Sequence, residues 1–132
     1  MSLKINLKPH ERMIIGGAVV KNGNKAADLF IENNVPILRE KDILNEAGAN
    51  SPCRRIYFTI QLMYIDNSNI PDYKNTYDEL VKDVVTAAPS TEGLIKQINE
   101  SISEGKYYPA LKLARQLIEY EDELIKHAKS TQ

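Results

Sequence analysis

The feature that most constrains this chain is a change in apolar periodicity partway along it. The first third reads as short strands, beginning with a period of two, and the last sixty or so residues repeat with the period of a helix. Lys4-Ile5-Asn6-Leu7-Lys8 alternates polar and apolar, as a half-buried strand does. Met13-Ile14-Ile15 and Ala18-Val19-Val20 flank Gly16-Gly17, where a bend or bulge is expected. Asn22-Gly23-Asn24 reads as a hairpin turn, because Asn-Gly tolerates positive φ. Leu29-Phe30-Ile31 is the next strand, and Val35-Pro36-Ile37-Leu38 carries the proline of an edge strand. Short strands at this spacing suggest a small barrel or sandwich.

Ser51-Pro52 signals a helix start, with serine as the cap and proline at the first helical position. The segment from Arg54 to Ile65 fits either state. Ile56, Phe58, Ile60 and Leu62 alternate as in a strand, but the length and the start signal favour a helix. Pro71-Asp72 opens a helix with Tyr73, Tyr77, Leu80, Val81, Val84 and Val85 on one face. Pro89-Ser90 ends it and caps the next, whose inward residues are Leu94, Ile95, Ile98 and Ile102. Gly105 suits a left-handed helix terminus. The last helix runs from about Lys106 to Ala128, with Pro109 in its first turn. Its expected buried stripe is Leu111, Ala114, Leu117, Ile118, Leu124 and Ile125. The fold class is therefore α+β. A β-rich part spans residues 1–50 and a helical part residues 51–132, expected to form one compact structural unit.

A chain of 132 residues with 42% apolar and 27% charged residues can bury a real core and remain ordered. No apolar run approaches the ~20 residues that span a bilayer, and the N-terminus lacks the apolar stretch of a signal peptide. Cys53 is the sole cysteine, so no intrachain disulfide forms. These features point to the cytosol. The net charge of −1 hides a split. Residues 1–66 hold nine Lys/Arg against seven Asp/Glu, and residues 67–132 hold eight against eleven. A nucleic-acid site must then be a local patch rather than a whole basic face.

Arg39, Lys41, Arg54 and Arg55 are the strongest binding candidates. Cations in a first helical turn are disfavoured by the helix dipole. Arg54 and Arg55 there imply an anion at the helix start. It is either a phosphate or an internal carboxylate such as Glu40, Asp42 or Glu46. Lys4, Lys8, Arg12, Lys21 and Lys25 form a second basic group, normally a solvated face but able to extend an electrostatic track, with Lys8 and Arg12 the nearer candidates. Tyr57 and Phe58 fit the core, or stacking on unpaired bases. Glu119-Tyr120-Glu121-Asp122-Glu123 is an acidic segment: a solvated face, or a docking surface for a protein through Glu119, Glu121, Asp122 and Glu123. The helical pattern places Glu121 and Glu123 on the exposed side.

Catalysis is poorly supported. Cys53 beside two arginines at a helix start should have a lowered pKa. No sequence rule brings His10 or His127 to it, and two histidines with one cysteine lack metal-ligand spacing. No cofactor motif is present.

Four segments, in order and spacing, resemble the FlbT family over nearly the full chain. They are Leu7-Lys8-Pro9, Leu38-Arg39-Glu40-Lys41-Asp42-Ile43, Arg54-Arg55-Ile56-Tyr57-Phe58, and Lys106-Tyr107-Tyr108-Pro109-Ala110-Leu111 running on to Leu117-Ile118-Glu119-Tyr120-Glu121-Asp122-Glu123. The resemblance implies a cytosolic, non-enzymatic regulator of flagellin synthesis. Such a protein binds the 5′ untranslated region of flagellin messenger RNA and affects its translation and decay. The resemblance also implies a functional link to FlaF. The weak net charge favours an alternative, an adaptor or chaperone-like module that binds flagellin or FlaF through the helical half. Two positions depart from the family pattern. His10 stands where glycine is more usual, so this turn is expected to be built differently, and Pro109 replaces a common lysine.

Overall fold

The computed structural model describes residues 3–130. The chain divides between Ile43 and Leu44 into two compact units, the first of strands and the second of helices.

In the first unit, β1 (Leu3–Leu7) pairs antiparallel with β4 (Ala27–Ile31), Ile5 lying opposite Leu29. β2 (Arg12–Ile15) pairs antiparallel with both β3 (Ala18–Lys21) and β5 (Ile37–Arg39), so β5 is an edge. Among the described residues the strands form one two-stranded and one three-stranded sheet and do not close into a barrel. The alternation of β1 sends Ile5 and Leu7 inward, where they meet Met13 from the other sheet. Ile15, Leu29, Ile31 and Ile37 pack around them. Burial of Ile5, Leu7 and Met13 contributes about 1.5–3 kcal/mol each over the exposed state, and the half-buried four contribute less.

The tight hairpin lies at Gly16-Gly17, whose φ values of 59° and 137° require glycine. Asn22-Gly23-Asn24 does something else. It carries the chain from one sheet to the other, and the Asn22 side chain ties the crossing down. Its Nδ2 donates to the carbonyls of Lys8 (2.8 Å) and Lys25 (2.9 Å), and its Oδ1 accepts from the Gly23 N–H (2.8 Å). Asparagine serves here through its side-chain amide rather than its tolerance of positive φ.

In the second unit, α1 (Pro52–Ile65) packs against α2 (Ile70–Ala87) and α4 (Tyr107–Ser130), and α3 (Glu92–Ser103) packs against α4. α1 settles the ambiguity of its sequence as a helix. Cys53, Ile56, Tyr57, Ile60 and Met63 are buried, the period of a helix, whereas Phe58 and Leu62 are only half-buried. Ser51 caps it by accepting from the Arg54 N–H at 3.2 Å. The buried Gln61 amide brackets Leu44, accepting from its N–H and donating to its carbonyl at 2.9 Å each. Fully buried Tyr77 donates its hydroxyl to Asn99 Oδ1 at 2.7 Å. Gly105 ends α3 with φ 74°, as its sequence position implies.

One expectation for α4 is overturned. Leu111, Ala114 and Leu117 are buried, but Leu124 and Ile125 are 41% and 46% exposed. The helical stripe continues past the point where its neighbours cover it.

Candidate nucleic-acid interface

The first unit carries an open polar cleft of about 670 Å³. Its lining comes from two stretches of chain, Lys8-Pro9-His10-Glu11 and Arg39-Glu40-Lys41. The first is the turn leaving β1, held by the Asn22 side chain and by the His10 N–H, which donates to the Gly23 carbonyl at 2.8 Å. The second leaves β5 through a short 3-10 turn. Pairing of β5 with β2 sets Arg39 opposite Met13 and so brings the two stretches together.

His10 has φ 63°, the left-handed conformation that glycine adopts freely. The turn is therefore built as a glycine would build it, contrary to the expectation from sequence. Surrounding bonds fix it. The Lys8 N–H donates to Glu11 Oε1 (2.9 Å), and the Glu11 N–H donates back to the Lys8 carbonyl (3.1 Å).

Three cations, Lys8, Arg39 and Lys41, face two carboxylates, Glu11 and Glu40, leaving a formal excess of one positive charge. Both carboxylates already accept hydrogen bonds. Glu11 takes the Lys8 N–H and Arg39 Nη2 (3.1 Å), and Glu40 takes the Arg12 N–H (3.2 Å). The Lys8 N–H above all, with Arg39 behind it, holds the Glu11 carboxyl below the ordinary carboxylate range. Arg39 also donates to the Asn6 carbonyl at 2.9 Å. Its Nε is buried and finds no acceptor among the described residues. Arg12 thus borders the cleft through its backbone. Sequence reasoning found the cations but missed His10, Glu11 and Glu40 as members. The glycine-like position of His10 beside Lys8-Pro9 was the available signal.

The same unit presents an aromatic side chain to solvent. Phe30 is 60% exposed. It lies opposite Lys4 across the two-stranded sheet, on the face turned away from Ile5 and Leu29. The alternation that turns Leu29 and Ile31 inward, half-buried, could have indicated it.

Arg54 and Arg55 belong to the helical unit. Arg54 makes a bidentate pair with Asp122, both bonds 2.9 Å, and approaches Glu121 at 3.6 Å. The α1 start is occupied by Glu121, which accepts from the Cys53 N–H (3.0 Å) and the Ser51 hydroxyl. The anion there is an internal carboxylate, supplied by α4 rather than by Glu40, Asp42 or Glu46. Glu121 is accordingly half-buried, not exposed as its position on the helical pattern implied, and Asp122 is engaged with Arg54. Arg55, Glu119 and Glu123 are exposed. Tyr57 is buried against α4, where Arg115 sits 6.0 Å from its ring, and Phe58 is half-buried.

The Cys53 thiol is pushed up to about 12, not down. Burial is the main cause, and the Glu121 carboxylate adds to it, overriding the Arg54 charge. The thiolate needed for nucleophilic chemistry is thereby suppressed. The same region holds a largely apolar groove of about 300 Å³ between α1, α2 and α4, with Val84, Ala87 and Leu124 in its walls. No helix among the described residues is long and apolar enough to cross a membrane.

Fold and cleft together define a small α+β protein whose strand unit bears a mixed-charge polar cleft and whose helical unit is tied together by carboxylates of α4 at the start of α1. Residues 3–125 match a family model described as flagellar protein FlbT. The probable flagellum biosynthesis repressor protein FlbT 1 of Bradyrhizobium diazoefficiens is 49% identical over 128 residues, covering 94% of this chain and 85% of the relative. The probable flagellum biosynthesis repressor protein FlbT of Rhodopseudomonas palustris is 41% identical, covering 95% and 98%. The flagellum biosynthesis repressor protein FlbT of Caulobacter vibrioides is 36% identical, covering 98% and 94%. No solved structure matches. The chain belongs to the FlbT family.

Proposed function

We propose that this chain represses or tunes flagellin synthesis after transcription, by binding the 5′ untranslated region of flagellin messenger RNA through the cleft of its strand unit. The relatives' names supply the flagellar regulatory role. The cleft carries the reading. It gathers Lys8, Arg39 and Lys41 on one unit and keeps both its carboxylates hydrogen-bonded. Such a site suits a phosphate of a single-stranded segment, with exposed Phe30 available to stack on a base. Phosphate contact supplies affinity and position; exposed bases supply choice of target. Action is by occupancy, without catalysis, in keeping with the silenced Cys53 thiol.

The test is salt-dependent binding of a flagellin leader RNA. Replacing Lys8 and Lys41 with Gln should weaken binding across sequences and flatten the salt slope by about 0.7 for each phosphate that is no longer neutralised. An unchanged slope overturns the cleft assignment. The apolar groove of the helical unit favours a second reading, a protein adaptor that receives flagellin or FlaF there. Purified flagellin or FlaF binding that survives both lysine changes, with RNA binding absent from the wild type, decides for it.

A further inference from the structure

Two carboxylates line the cleft of the strand unit, and only one of them is used up within the protein. Glu11 takes the Lys8 N–H and Arg39 Nη2, and its side chain is only 12% exposed. Glu40 differs. It is exposed, and its Oε1 accepts the Arg12 N–H of β2 at 3.2 Å. Its Oε2 meets no donor among the described residues. The ammonium of Lys41, next in the chain, makes no hydrogen bond or ion pair there. That of Lys8 forms no ion pair and acts on Glu11 only at longer range. His10, also exposed, adds a flat ring to the same lining.

A cleft for phosphate alone has no use for the Glu40 charge. The neutral amide of glutamine would accept the Arg12 N–H as well, without repelling a phosphate held by the two lysines. What an ionised carboxylate offers is a group that only accepts, with lone pairs on both oxygens left over after the Arg12 bond. One RNA base answers it. The Watson–Crick edge of guanine carries two adjacent donors, N1–H and the N2 amino group, spaced for the two oxygens of a carboxylate. Adenine and cytosine set a ring-nitrogen lone pair beside their amino group, and uracil flanks its N3–H with two carbonyls. Each of those three turns an acceptor toward Glu40.

Given the RNA reading of the cleft, on which this rests, we infer that the cleft selects an unpaired guanine, Glu40 accepting from N1–H and the N2 amino group while Lys8 and Lys41 hold the adjoining phosphates. The imidazole of His10 is the stacking surface beside that base. Phosphate contacts then set affinity, and Glu40 sets the choice of base.

Short uridine-rich RNAs with one central guanosine, adenosine, cytidine or inosine, titrated against the full chain, test it. The wild type should bind the guanosine RNA about tenfold more tightly than the adenosine or cytidine one. Inosine, which lacks only the N2 amino group, should fall between. Glu40→Gln keeps an acceptor for Arg12 and should retain the wild-type melting temperature. It should lose the preference for guanosine and bind the other RNAs as well as before or better, since a negative charge has left the cleft. A Glu40 that only repels, or only holds Arg12, would leave the ratio between bases unchanged. Lys41→Gln should weaken every RNA together and spare that ratio. The inosine contrast needs no variant and stands even where Glu40→Gln destabilises the chain. Equal binding of all the RNAs by the wild type overturns the guanine assignment and leaves the RNA reading standing, as does a preference that survives Glu40→Gln. Failure to bind any of them overturns the assignment too, and titration with the flagellin leader RNA then shows whether the RNA reading falls with it.

Discussion

The Glu121 carboxylate accepts the backbone N–H of Cys53 at 3.0 Å, a hydrogen bond between residues 68 positions apart that lets α4 supply the anion at the start of α1. It completes the local cap made by Ser51, whose hydroxyl it also receives. Free N–H groups at a helix start carry a partial positive charge, so a carboxylate there is doubly favoured. Glu121→Ala should cost about 1–2 kcal/mol in urea unfolding, the range seen when a helix cap is removed. Glu121→Gln keeps an acceptor oxygen and should cost less. Equal stability of the alanine variant and the wild type would remove Glu121 from this role.

Arg54 and Asp122 form the second link between the same two helices. The Arg54 hydrogen bonds hold the Asp122 carboxyl below its ordinary value. Such stability is present above the unfolded carboxylate value and is lost as pH falls through the folded one. Arg54→Gln should lower the melting temperature modestly, an effect that shrinks at high salt because the pair is solvent-exposed. It should leave the salt slope of RNA binding unchanged. A flattened slope with an unaltered melting curve would return Arg54 to the RNA-contacting set.

His10 occupies a left-handed turn that shapes the cleft. Histidine visits this region more readily than most residues, and β-branched residues scarcely do. His10→Val should destabilise the chain by about 1 kcal/mol or more and loosen the cleft. His10→Gly should be neutral or slightly stabilising, since relief of strain is offset by a more flexible unfolded chain. Thermal melts of both variants check this, and a stable valine variant would mean the turn has relaxed.

Asp66 and Cys53 also contribute to the pH–stability profile. Asp66 is held at about 2 against an ordinary 3.8, chiefly by the Ser68 hydroxyl and then by the Tyr73 hydroxyl (2.7 Å). Its contribution is complete above pH 3.8 and is lost as pH falls through about 2. The Cys53 thiol titrates at about 12 when folded against 9.0 ordinarily. The unfolded chain gives up this proton first, so stability falls as pH rises from 9.0 toward 12. Asp66→Asn should flatten the acid limb and Cys53→Ala the alkaline limb. At neutral pH iodoacetamide should label Cys53 only as fast as the chain opens, and rapid labelling of folded protein would contradict its burial.

What the sequence alone determined was local. Alternation through Lys4–Lys8 gave a strand with Ile5 and Leu7 inside, Ser51-Pro52 gave a helix start, Gly105 a helix end, and the stripes of α3 and α4 gave Ile98, Ile102 and Leu117 to the core. These signals act within a few residues, where backbone sterics, capping and side-chain period settle the outcome. The cations of the cleft were legible as charges, but not the partners beside them. Strand pairing set Arg39-Glu40-Lys41 beside Lys8–Glu11, and that pairing closes over some thirty residues of intervening chain. Helix packing brought Glu121 and Asp122, rather than a nearer carboxylate, to the start of α1 beside Arg54, and it buried Cys53, which together with Glu121 drives the thiol up instead of down. Periodicity likewise told which residues of α4 share a face, but not how far that face is covered. Leu124 and Ile125 lie on the stripe and still meet solvent, because the extent of cover depends on where the neighbouring helices end.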